Sequence, residues 1–185
     1  MAAGLCICEV VWMASPWIST SCYVHDLPES AENDIKRVVD EYKILYLWFV
    51  NLYWDTGSPP IGSSPLESGH PETWVGATFL RTVSYYAHRA VYAAAKQHGS
   101  GVKPDYARST ARFGAAHVTM VPDGDDSTLK LRSLGDGVRV DIPVTLDSRY
   151  HRLDRTKQRA NVYNIDLTYV EFLFWRGKPS GWSPK

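Results

Sequence analysis

Apolar positions recur at intervals of three and four through Ile35, Val38, Val39, Tyr42, Leu45, Phe49, Val50 and Tyr53, while Glu32, Lys36, Arg37, Asp40 and Lys43 take the opposite side. This is the period of an amphipathic helix. Asp26 as cap, Glu29 three residues later closing a capping box, and Pro28 in the first turn predict where it begins. The last turns are apolar nearly all round, which predicts burial between two partners. A second helix is predicted near Glu72 to His98, with Trp74, Val75, Phe79, Val83, Tyr86, Ala90, Val91 and Ala94 on one face and Gly99 as C-cap. Residues 55–73 lie between them, rich in Gly, Pro and Ser, match neither period and read as a connecting loop.

Beyond "GSGVKPDY" the period changes to two. "AAHVTMV", the turn "PDGDD", "STLKLRS", the turn "LGDG" and "VRVDIPVTL" read as successive strands. Leu129 and Leu131 alternate with Lys130 and Arg132, and Val138, Val140 and Ile142 with Arg139 and Asp141, so one face is core and the other carries cations. "ANVYNIDLTYVEFLFWR" supplies a long strand or a bent pair, and residues 5–24 one or two short strands broken near Pro16. No internal repeat is visible. The predicted fold is α+β: a small antiparallel β-barrel with a helical insertion after the first strand. Residues 1–25 complete the barrel, 26–102 form the helical lobe and 103–185 the barrel with its basic connection.

With 185 residues, 44% of them apolar, the chain can bury a real core. Its net charge of zero hides a polarity. Residues 1–80 hold three Lys+Arg against ten Asp+Glu, and residues 81–185 hold seventeen against ten, giving halves of −7 and +7. The basic half suits a polyanion, so nucleic acid becomes a candidate partner. Three cysteines, all within the first 22 residues, argue against a disulfide framework and for a reducing compartment, so a cytoplasmic location is expected. No Lys or Arg precedes the first apolar run and Glu9 interrupts it, which argues against a signal peptide. No stretch reaches the roughly 20 apolar residues of a membrane span, and no membrane partner is expected.

Cys6-x-Cys8 and Cys22-x-x-His25 together offer four soft ligands, but zinc knuckles use gaps of two to four residues, and buried cysteine serves as a small apolar residue. Core cysteine is the simpler reading, and neither metal nor cofactor is expected. "DGDD" at 123–126 lacks the closing Glu of a calcium loop and sits where a hairpin turn is predicted. The six histidines are scattered, and no H-E-x-x-H, G-x-S-x-G, P-loop or dinucleotide fingerprint occurs. His70 and Glu72, with Glu67, are the one titratable group in the 55–73 loop, a thin basis for an enzyme.

The cations say more. Lys103, Arg108 and Arg112 flank the lead-in to the barrel, and Lys130, Arg132 and Arg139 share strands. Arg149, Arg152, Arg155, Lys157 and Arg159 crowd "SRYHRLDRTKQR", with Tyr150 and His151 among them and Tyr106 and Phe113 near the lead-in. Guanidinium forks suit phosphates, and interleaved aromatics stack on unpaired bases. The plain alternative is a solvated face with local pairs such as Asp154 with Arg155 or Lys157.

"KPDYARSTARFGAAHVTM", "TLKLRSLGDGVRVDIPV", "RYHRL" and the strand-rich run after them resemble, in that order, the segment that precedes the nuclease domain in the TnpB/OrfB family of transposon-encoded RNA-guided nucleases, kin of the type V CRISPR effectors. Ser109 to Phe113 is similar to that family's S-x-x-R-[FY] lead-in, and Leu134 to Pro143 to its "L-G-x-V-R-V-x-I-P" strand; the likeness of layout covers about residues 19–176. It implies a recognition lobe made by the helices and a wedge, OB-like barrel made by the strands, together gripping a structured guide-like RNA and an RNA–DNA heteroduplex through backbone and shape. The cation-rich connection would be a phosphate clamp. The family's RuvC-like carboxylates are not matched: Asp166 in "NIDLT" stands alone, and two-metal hydrolysis needs several ligands. The expectation is therefore an RNA-binding module that does not cut by itself, a remnant or one chain of a split effector, with a separate RuvC-like chain or self-association as partner. The competing expectation is a protein-interaction module using the acidic helical face and aromatic anchors among Trp12, Trp17, Trp54, Trp74 and Trp182.

Overall fold

A computed structural model of the chain describes residues 17–24, 26–57, 70–98, 102–106, 110–123, 126–145, 162–165, 167 and 169–175. Strand β1 (Trp17–Val24) leads into helix α1 (Glu29–Asp55) and helix α2 (Ala77–His98). Six strands follow: β2 (Ala111–Gly114), β3 (Val118–Asp123), β4 (Asp126–Leu131), β5 (Val140–Thr145), β6 (Val162–Ile165) and β7 (Tyr169–Trp175). All seven strands form one antiparallel sheet in the order β2-β6-β7-β1-β5-β4-β3. The α+β class, the barrel and the helical insertion after the first strand are as the patterning predicts; the run "AAHVTMV", predicted as a strand, instead begins with the turn Ala115–His117, closed by the His117 N–H bond to Gly114 O, so its strand is only β3 and the lead-in before it is the additional strand β2. The last run is the bent pair β6–β7, and β1 joins the sheet of the second half by pairing with β7 and β5.

The topology forces curvature. The two edge strands, β2 and β3, are consecutive in the chain and separated by only Ala115–His117. A flat seven-stranded sheet would hold its edges about 29 Å apart, six spacings of about 4.8 Å, which three residues cannot span. The sheet therefore curls into a nearly closed barrel. Its inner face is continuous through the register: Cys22, Val170, Ile165 and Ala111 share one row, Thr20, Phe172, Tyr163 and Phe113 the next, and Met120, Leu129 and Ile142 line the other side. All but Met120, which is half-buried, are buried.

The seam between β2 and β3 is filled by a helix side chain. Phe79 of α2 stacks on Phe113 at 5.3 Å between ring centroids and meets His117, the last residue of the turn, edge-on at 5.4 Å. Phe79, wholly buried, also contacts Tyr42 of α1 at 6.2 Å, so one ring ties both helices to the barrel. The helices join along Val38, Leu45, Phe49, Leu80, Val83 and Ala87, all buried. The Tyr53 hydroxyl bonds Ser84 Oγ between them.

Two predicted helix starts are corrected. The N-cap of α1 is Pro28, whose side chain makes no cap hydrogen bond, and Asp26 lies outside the helix at φ 47°. The φ of −60° and ψ of 143° at Pro28 are the extended geometry of an N-cap, and its carbonyl accepts the first helical bond from Glu32 at 2.9 Å. The second helix begins at Ala77, not near Glu72, because Gly76 N–H bonds Leu134 O at 2.7 Å and the preceding residues dock on the β4–β5 loop. Gly99 lies outside the described residues.

That docking needs a glycine. Gly135 has φ 132°, and a Cβ there would lie 2.2 Å from the Trp74 carbonyl oxygen and 2.6 Å from the Gly76 nitrogen, both backbone atoms. Gly135→Ala is expected to destabilise the chain by more than about 1 kcal/mol in urea unfolding. Gly114→Ala, whose Cβ meets nothing, should stay within about 0.5 kcal/mol of the parent. Phe79→Ala should cost about 3–5 kcal/mol, since it empties the seam.

Candidate nucleic-acid interface

Helix α2 contains no Asp or Glu in its 22 residues and carries Arg81, Arg89 and Lys96. With Tyr85 and Tyr92 these cations fall at spacings of four, four, three and four, which places all five on one face. All are exposed, Tyr85 by 53% and Tyr92 by 48%. Phe79, Leu80, Val83, Ala87 and Val91 occupy the other side and are buried. Core packing thus turns an alternation of cation and phenol outward.

The stripe is internally ordered. Arg89 Nη1 donates to the Tyr85 hydroxyl at 3.1 Å, its guanidinium carbon lies 5.8 Å from that ring's centroid, and Lys96 Nζ lies 4.6 Å from the Tyr92 centroid. Such contacts hold long side chains in place at exposed sites with modest energy. Among the described residues none of the three cations forms an ion pair. Helix α1 is the counterweight, with six carboxylates against Lys36, Arg37 and Lys43. Within the helical lobe the polarity of the chain therefore also separates the two helices.

The stripe continues onto the barrel through Arg112. Its guanidinium lies 5.1 Å from the Tyr86 ring centroid, and Tyr86 meets Tyr85 edge-on at 5.4 Å. Arg112 Nε donates to Asn164 Oδ1 at 2.9 Å, and Asn164 Nδ2 to Glu171 at 2.6 Å, along one row of paired residues on β2, β6 and β7. Burial raises the pKa of Tyr42, Tyr46 and Tyr86, with the Arg112 charge opposing it, so these phenols stay protonated through neutral pH.

The other predicted cations divide. Lys130 lies in β4 between the buried Leu129 and Leu131, whereas Arg132 and Arg139, predicted to share strands, stand just after β4 and just before β5. Arg132 is committed locally, donating to the Leu131 and Val140 carbonyls at 2.7 and 3.2 Å and to Asp141 at 2.6 Å. Arg139 is exposed and, with Arg132, lines a groove of ≈ 480 Å³ beside the start of α2, where Asp136 is paired with Arg37 at 3.6 Å. Lys103 is exposed, 3.9 Å from Asp55. Arg108, Arg149, Tyr150, His151, Arg152, Arg155, Lys157 and Arg159 lie outside the described residues, as do Cys6, Cys8, His25, Glu67 and Asp166. Cys22 is buried on the barrel's inner face, as the core reading expects. Among the described residues no three His, Cys, Asp or Glu side chains gather as a metal site. Asp123 and Asp126 pair across the predicted hairpin turn. His70 and Glu72 are exposed, and the His70 ring meets the Pro71 carbonyl at 2.8 Å. Of the tryptophans named as anchors, Trp54 and Trp74 are half-buried against the core, with Arg37 4.1 Å over Trp74, and the side chains of Trp12, Trp17 and Trp182 fall outside the description. No helix among the described residues is long and apolar enough to cross a membrane.

No protein-family model matches the chain, and no curated protein matches it.

The α2 stripe escaped a reading that divided the chain in halves and sought cations on strands. Its signal was present: a helix free of carboxylates, with cations and tyrosines on the face opposite the apolar one.

His117 ties this helix to the barrel. It is buried, 3.0 Å from Thr82 Oγ1 through Nε2 and 3.4 Å from the Arg132 carbonyl through Nδ1. Burial lowers its pKa below the usual 6.5, and the Arg132 and Thr78 carbonyls offset this in part. The unfolded chain then binds more protons below about pH 6.5, so the stabilisation is full above that value and is lost as pH falls through the folded pKa. The urea midpoint should drop between roughly pH 7 and 5, and drop less in His117→Gln.

Proposed function

We propose that the chain is an RNA-binding module that grips structured RNA through its backbone and through unpaired bases. The observation that carries this reading is the exposed Arg81-Tyr85-Arg89-Tyr92-Lys96 face of a carboxylate-free helix, continued onto the barrel by Arg112. Cations along such a face neutralise phosphates of a bound strand, and exposed phenols stack on bases at about 1–3 kcal/mol each. The element order, one strand, a helical insertion and a barrel, supports the resemblance to the recognition and wedge portion of TnpB-like effectors. On that resemblance the ligand is a guide-like RNA or its heteroduplex with DNA, and cleavage belongs to a separate RuvC-like domain or chain. The reading assigns no nuclease chemistry to this region.

A second reading has one observation of its own. Tyr23, 80% exposed, and Tyr169, 36% exposed, are directly paired across β1 and β7 on the outer barrel face, which suits docking of a protein partner. A Tyr23→Ser/Tyr169→Ser double variant that abolishes a complex seen by sedimentation would favour it.

The RNA reading is tested by titrating a hairpin RNA with a single-stranded tail across about 50–200 mM salt. Log affinity should fall with log salt by about 0.7 or more per phosphate contacted, and Arg81→Ala/Arg89→Ala/Lys96→Ala should flatten that slope by about 2. Tyr85→Ala/Tyr92→Ala should weaken binding at least tenfold, about 1.4 kcal/mol, with the slope unchanged, because stacking releases no counterions. Arg152→Ala/Arg155→Ala/Arg159→Ala tests the basic connection in the same way. A parent chain without salt-sensitive RNA binding overturns the reading.

A further inference from the structure

A cavity of ≈ 190 Å³ lies between α1 and the outer face of β2 and β6. It is smaller than the roughly 300–1,000 Å³ of sites that enclose whole small molecules, and so admits one planar group without its sugar and phosphate. Tyr42, Tyr46 and Tyr106 line it, their centroids 5.0 to 6.0 Å apart. Thr110, Asn164 and two side chains of opposite charge, Arg112 and Asp105, complete the lining.

Both charged groups are oriented. The Arg112 Nε bond to Asn164, itself bonded to Glu171, fixes the guanidinium, while its two Nη atoms make no hydrogen bond with any described residue. Asp105 Oδ1 accepts from the Tyr106 backbone N–H at 2.7 Å, and Oδ2 bonds no described residue. A cationic donor, an anionic acceptor and aromatic walls therefore share a space one ring wide. Guanine is the base that offers both a two-acceptor edge, O6 and N7, and a two-donor edge, N1–H and the 2-amino group. Adenine places an amino donor where the guanidinium needs an acceptor. Arg112 also contacts Tyr86, so the cavity adjoins the α2 stripe along which a strand would run.

We infer that this cavity receives a single unstacked base of the bound RNA and selects guanine, Arg112 binding its O6/N7 edge, Asp105 its N1/N2 edge, with the tyrosine cluster as the wall it rests against. The inference deepens the RNA-binding reading and rests on it.

The test uses the full chain and single-stranded oligouridylates of about eight nucleotides, within the span such surfaces cover. One is unmodified, and the others carry one central guanine, inosine or adenine. The guanine oligonucleotide should bind about tenfold more tightly than the unmodified or adenine one, and inosine, which lacks the 2-amino group, should fall between. Asp105→Asn should remove the guanine advantage, so that the guanine and unmodified oligonucleotides bind the variant with equal affinity. Equal affinity for all four, with salt-sensitive binding retained, overturns the base pocket and leaves the RNA reading intact. A guanine advantage that survives Asp105→Asn overturns the assignment of Asp105. Failure of every oligonucleotide and of the hairpin RNA to bind removes both readings.

Discussion

The three residues between β2 and β3 set the terms for everything else in this molecule. They join the two outermost strands of a seven-stranded sheet, so the sheet has no flat solution and must bring its edges together. No ladder between those edges closes it among the described residues; Phe79 of α2 does, seated on Phe113 and His117. The barrel thus depends on the helix that precedes β2 in the chain, and that helix divides its apolar face between the seam and α1.

The consequence for function is orientation. Once Phe79, Val83 and Ala87 are fixed inward, the helical period leaves Arg81, Tyr85, Arg89, Tyr92 and Lys96 no choice but the outside. A second anchor removes the remaining freedom: the docking of residues 74–76 on Leu134 and Gly135 holds the start of α2 against the β4–β5 loop. On the proposed RNA-binding reading, a face mounted on a helix pinned at seam and start meets its ligand with little reorganisation, which lowers the ordering cost of binding.

Arg112 links the helix surface to the barrel surface. It sits on an edge strand, directly opposite Asn164, and a polar row runs from it across β6 to Glu171 on β7. A partly buried guanidinium without such partners would be costly, and the row satisfies one of its donors while leaving its terminal nitrogens outside the network. The surrounding tyrosines stay neutral because burial raises their pKa, so the site combines the Arg112 and Asp105 charges with uncharged aromatic walls. Acidic groups are concentrated on α1 instead, which keeps the chain neutral overall without placing a carboxylate on the α2 face.

Period and turn chemistry alone determined the two helices, the β3–β4 hairpin, β5 and the α+β class, because alternation of burial is written into each segment locally: Leu129 and Leu131 face the core and Lys130 and Arg132 do not, whatever the partner strand; for the last run they left a long strand and a bent pair open, and β2 was not read as a strand. They did not determine the start of α2, since the Gly76–Leu134 bond joins residues 58 positions apart, nor the cap of α1, where the extended geometry of Pro28 displaced the expected carboxylate. The cations were legible as a list, but their grouping was not. Which arginine is held against Asp141, which lies over Tyr86, and which stands outward beside a phenol are facts of packing, and strand order and helix placement settle them only when the edges of the sheet are brought together.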